Sequence, residues 1–211
     1  DEAILMVLKN YIRKSKVILF EGNNYSDEWR EEAATRGLSN HTNTPEALDV
    51  LGTKLAQDFF GKSGVLNKTE LEAFLAVQLH GYCTKLDIEA KTLEDMVNSI
   101  VMPAVLRYQT ELADNIASMR DIGLEDAVGY QKETLQRIIK AISTINGGLK
   151  KMHEALEKVH HSDDLRKEAD ILCNSVKPEM ETIRTAVDDL EGIVDDQYWP
   201  LVKYRELLFV R

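Results

Sequence analysis

Proline is scarce in this chain, with four residues among 211, and its eleven glycines are a modest number. So few breakers favour long helices over many short strands. Only two cysteines occur, Cys83 and Cys173, without a Cys-x-x-Cys pair. That excludes a disulfide framework, and both fall where buried free thiols are expected, on the apolar side of helical patterns. No apolar run reaches the ~18 residues a membrane helix needs, and no signal-peptide pattern is visible. A cytoplasmic protein is the expectation. Excess positive charge is also missing: 26 Lys and Arg stand against 36 Asp and Glu, a net charge of −10. DNA, RNA and anionic membranes are therefore poor partners. The densest basic run, Arg13-Lys14-Ser15-Lys16, fits a helix C-terminus, where cations complement the dipole.

Hydrophobic periodicity is abundant. The chain begins at Asp1 already inside an apolar helical pattern (Ala3, Ile4, Met6, Val7, Leu8), which looks like a piece of something longer. A helix is expected to about Ser15, then a β-leaning run, Val17 to Phe20, ended by Gly22-Asn23-Asn24. Ser26 is placed to cap a helix that stops at Gly37, Thr44-Pro45 to open another, and Gly61 and Gly64 to close a third. Asn67 and Glu70 have capping-box spacing. Apolar residues then recur at Leu71, Leu75, Leu79, Tyr82, Leu86, Leu93, Val97, Ile100 and Ala104. Pro103 should bend or restart that helix before it resumes through Leu112 and Ile116 to Gly123.

A stricter seam follows: Leu135, Ile138, Ile142, Ile145, Leu149, Met152, Leu156 and Val159 alternate gaps of three and four. Gly147-Gly148 in its middle predicts a close backbone approach or a local bend. The turn at 160–163, with Ser162 as the expected cap, makes the next seam an antiparallel neighbour. That seam runs Leu165, Ala169, Leu172, Val176, Met180, Ile183, Val187, Leu190 and Val194, with a kink expected at Pro178. The fold class is all-α: a long antiparallel, coiled-coil-like helical bundle with a compact, turn-rich N-terminal subdomain of short helices. Its expected divisions are 1–66 for the short helices, 67–197 for the bundle, and 198–211 for a tail too apolar to float free, with Trp199, Phe209 and Val210 docking.

Chemistry-bearing groups are few. Cys83 lies three residues from His80, a pairing that any half-buried helix face produces, and no Gly-x-Ser-x-Gly occurs. His160, His161, Asp163 and Asp164 share a turn, and His153 and Glu157 lie one helical turn apart. None forms the paired Glu-x-x-His arrangement of bundle metal sites. No phosphate-cradling glycine motif is present, since Gly22 and Gly37 have turn and cap duties. The acidic pairs Glu31-Glu32, Asp188-Asp189 and Asp195-Asp196 read as solvated faces. Glu89 sits at a seam-like position and needs a partner there, such as Arg107, Arg137 or Arg184. No catalytic, cofactor-binding or metal-ligating residue is assigned.

The run from Val17 through Glu21-Gly22-Asn23-Asn24-Tyr25-Ser26-Asp27-Glu28 to Trp29 resembles a signature of type III glutamine synthetases. The resemblance continues through Glu32-Ala33, Arg36-Gly37-Leu38, Thr44 to Leu48, Gly64-Val65-Leu66, Ile88-Glu89-Ala90, Pro103-Ala104 and Arg107-Tyr108-Gln109. It ends with Trp199-Pro200 and Tyr204-Arg205-Glu206-Leu207-Leu208-Phe209, so it covers essentially the whole chain. Glu21 departs from it, standing where Asn or a small polar residue is expected. The resemblance implies an ATP-dependent ligase that phosphorylates glutamate and displaces the phosphate with ammonia, using ATP and Mg²⁺ or Mn²⁺ held on an upstream antiparallel sheet. This segment would be a non-catalytic C-terminal domain serving assembly, stability or regulation. Its partners would be the rest of the subunit and neighbouring subunits in a dodecamer of two hexameric rings. A stand-alone helical-bundle interaction or scaffold module is the alternative, and a bundle metalloprotein a third reading.

Overall fold

The computed structural model describes residues 2–208, Tyr204 for its backbone alone. Helices dominate it, and no strand occurs among the described residues. Contacts divide the chain into one unit ending at Ala47 and another beginning at Leu48.

In the first unit, α1 (Glu2–Ser15) carries Arg13 and Lys14 in its last turn, as the dipole favours. The β-leaning run after it is not a strand. Lys16–Ile18 forms a 3₁₀ turn, and only Leu19 is extended. The reason is the competition for its carbonyls. Arg36 Nη1 donates to the oxygens of Lys16, Val17 and Leu19 at 3.3, 3.1 and 2.6 Å, leaving no ladder to form. The same guanidinium lies 5.7 Å from the Trp29 ring, whose other neighbour is Phe20, 4.7 Å away. Ser26 caps α2 (Asp27–Thr35), accepting from the Trp29 amide. Gly37, at φ +73°, ends it by letting the Leu38 amide reach back to the Ala33 carbonyl. The cap of α3 (Thr44–Asp49) is Asn43 rather than Thr44, because the Asn43 side chain accepts from the Glu46 amide at 2.9 Å.

In the second unit, α4 (Lys54–Ser63) runs on through Gly61 and closes at Gly64. The Asn67–Glu70 capping box then starts α5 (Lys68–Met96). A π turn, Val97–Val101, joins it without a break to α6 (Met102–Asp121), giving 54 continuous helical residues, about 80 Å at 1.5 Å each. After a turn at Gly123 comes α7 (Gly129–His160). Next follow α8 (Leu165–Ile171), a second π turn at Leu172–Val176, and α9 (Lys177–Glu191). A short α10 (Tyr204–Leu207) lies near the end. Helix α7 packs against α6, α8 and α9, and α5 packs against α8.

At both prolines, where a bend, restart or kink is expected, the helix adopts the same local solution. Proline lacks an N–H, and its ring collides with the carbonyl four residues earlier. Those carbonyls, on Ser99 and Asn174, lie inside the two π turns. There the Met102 amide bonds Val97 and the Lys177 amide bonds Leu172, five residues back. The wider turn accommodates each ring, and the helix continues.

The core follows the seams. Every position of the 135–159 seam is buried or packed on the core, and so is every position from Leu165 to Val194. Gly148 is a point of close approach: a Cβ there would stand 2.7 Å from Ile183 Cγ1, whereas one on Gly147 would meet open space. Gly148's role is thus the close approach of α7 and α9.

Candidate functional site

Most of the reactive groups singled out in the sequence have a structural partner. Cys83 is buried in the core, and its Sγ lies 3.9 Å from the Leu165 carbonyl. Burial, with the Glu168 carboxylate adding to it, pushes its thiol up to about 11. A thiol that stays protonated near neutral pH is a poor nucleophile, and His80 beside it points to solvent as an exposed side chain. Cys173 is half-buried against Tyr82, whose hydroxyl is pushed up by burial and by that contact.

The histidine turn is dispersed. His160 Nε2 is 3.3 Å from Asp87 on α5, and His161 Nδ1 is 2.7 Å from the Glu157 carbonyl. Asp164, not Ser162, caps α8, accepting from the amides of Arg166 and Lys167. His153 pairs with Glu157 at 3.8 Å. Among the described residues, no three His, Cys, Asp or Glu side chains converge as metal ligands.

Glu89 is not on the seam. It is exposed and lies 3.9 Å from Lys85, while its neighbour Ala90 takes the buried position. Asp188 pairs with Arg184 at 3.6 Å, and Asp195 accepts from the Gln197 amide. Within the second unit, Arg166 on α8 makes a two-pronged contact with Asp49, both bonds 2.7 Å, and holds Asp170 at 2.5 Å.

The tail holds a residue that periodicity could not find. Lys203 is buried, donates from Nζ to the Val194 carbonyl at 3.2 Å, and pairs with Asp196 at 2.6 Å. Trp199 docks inside the core, and Tyr198 lies 6.0 Å from Tyr108. Leu207 and Leu208 are exposed, and Phe209 and Val210 lie outside the described residues.

Among the described residues, two surfaces stand apart from these internal contacts. A groove of about 650 Å³ runs between α7 and α9, with Arg137 and Lys140 on one wall, Glu181 and Asp189 on the other, and Ala141 and Ala186 among its small residues. Helix α1 buries none of its residues, although Ile4, Leu5, Leu8, Tyr11 and Ile12 are large and apolar.

The fold thus defines an all-helical bundle module. The glutamine synthetase C-terminal domain matches residues 3–120, and the chain belongs to that family. A glutamine synthetase of Bacteroides fragilis (strain YCH46) is 36% identical over 215 residues, covering 100% of this chain and 30% of that protein. A type-3 glutamine synthetase of Dictyostelium discoideum is 31% identical over 209 residues, covering 97% of this chain and 28% of its own length. A glutamine synthetase of Butyrivibrio fibrisolvens is 26% identical over 208 residues, covering 99% and 30%. The chain spans less than a third of the length of these relatives and matches their C-terminal part.

Proposed function

We propose that this chain is the non-catalytic C-terminal domain of a cytoplasmic glutamate–ammonia ligase of the type III kind, and that it serves assembly and stability of the enzyme. ATP and Mg²⁺ or Mn²⁺ belong to the preceding part of the subunit. The partners are that part and neighbouring subunits in a double hexameric ring. Within the domain, 1–66 adjoins the catalytic part, 67–197 is the bundle, and 198–211 is the tail that folds back on it. The carrying observation is the family match of a chain whose candidate nucleophile and candidate metal ligands are engaged in caps, ion pairs and core packing. No membrane-crossing helix is found among the described residues. The test is direct: the purified chain, given glutamate, ATP, ammonia and Mg²⁺, forms no glutamine, while the full-length enzyme does. Turnover by the chain alone overturns the reading.

A further inference from the structure

Helix α1 is amphipathic and uncovered. Ile4, Leu5, Leu8, Tyr11 and Ile12 recur at spacings that place them on one side, and they are 51–66% exposed. Lys9 borders this stripe, and Met6, Asn10 and Arg13 lie on the opposite side. A lone helix of 14 residues is marginal in water unless tertiary packing covers its apolar face. Contiguous exposed apolar surface with a charged rim marks an interaction site.

We propose that this stripe docks on the preceding, catalytic part of its own subunit, an inference that rests on the reading above. One observation and one physical argument select that occupant over a neighbouring subunit. The relatives match this chain through their C-terminal part, so the larger share of their length comes before the equivalent of α1. A surface on the same chain as its partner meets it at a raised effective concentration, which a separate subunit must match by affinity alone. The joint after α1 is also fastened. Arg36 ties down the carbonyls of Lys16, Val17 and Leu19, and Trp29 stacks on Phe20. Docking of α1 therefore fixes where the first unit begins.

The test uses the full-length enzyme with photoreactive benzoylphenylalanine in place of Leu8 or Ile12, and in place of Arg13 as the opposite-face control. Oligomers are assembled from mixed light and isotopically heavy subunits. Irradiation at positions 8 and 12 is expected to join them to peptides from the catalytic part carrying the same isotope label, with none from position 13. Crosslinks between differently labelled chains, crosslinks confined to residues 2–208, or no crosslinks overturn the docking. The double variant Leu8→Asp, Ile12→Asp should be cut by protease within residues 2–20 roughly tenfold faster than the parent enzyme. An unchanged rate counts against the proposal. Glutamine formation, measured on the same preparations, separates the two readings. An active enzyme without the intrasubunit crosslink overturns the docking alone. A full-length protein that forms no glutamine overturns the parent reading.

Discussion

Gly147 and Gly148 are adjacent and identical, yet their surroundings assign them opposite roles. Gly148→Ala places a methyl 2.7 Å from Ile183 Cγ1, on a side chain that is itself fully buried. Overpacking of that kind costs about 1–3 kcal/mol. Gly147→Ala meets open space, so only the helix preference acts, and a gain of about 1 kcal/mol is expected. Urea unfolding of the two variants should move the midpoint in opposite directions, and a shared sign would refute the packing role. Asp87 gives a pH dependence. Burial raises its carboxyl, but hydrogen bonds from Lys91 and then His160 outweigh that and hold it below the usual range. A carboxyl depressed in the folded state stabilises fully above the unfolded value of about 4, and the contribution is lost as pH falls through the folded value. The parent chain should therefore lose more melting temperature between neutral pH and the acid side of that value than Asp87→Asn does. Equal losses would show that the pair contributes nothing.

The long helices illustrate how a disfavoured residue is absorbed by an element rather than ending it. A proline in a helix interior costs ~3 kcal/mol, and both prolines here sit in continuous helices. Each follows a π turn whose five-residue bonds relieve the strain at Ser99 and Asn174. Pro178→Ala should accordingly stabilise the chain by clearly less than ~3 kcal/mol, because most of the penalty has already been relieved. Calorimetry that recovered the whole amount would show the π turn to be incidental. The seams themselves were legible in sequence because periodicity near 3.6 survives any tertiary arrangement. The caps at Ser26 and Asn67 were legible too, since a cap is a local contact. Those at Asn43 and Asp164 were misplaced by one and two residues, because several adjacent polar side chains could serve and only backbone geometry selects one.

At the scale of the molecule, the bundle is a closed packing of three long helical stretches around one core, with Trp199 from the tail completing it. Removing 124–196 from the full-length enzyme takes away α7, α8 and α9 and uncovers the apolar face of α5 and α6. Light scattering is expected to report a changed oligomer mass or aggregation, while Mg²⁺ binding to the catalytic part stays near that of the intact enzyme. An unaltered mass combined with lost Mg²⁺ affinity would contradict an assembly role.

The sequence by itself determined the helical class, the three apolar seams and the family, because periodicity and motif order are properties of the chain written in one dimension. Only the tertiary structure decided the rest. It turned a β-leaning run into a 3₁₀ turn whose carbonyls one arginine occupies, and it moved Glu89 out to solvent. It also buried Lys203 of the tail against the Val194 carbonyl and distinguished two neighbouring glycines. Each of these depends on which distant side chain arrives to accept a hydrogen bond, fill a space or cover a charge, and residue spacing carries no record of that arrival.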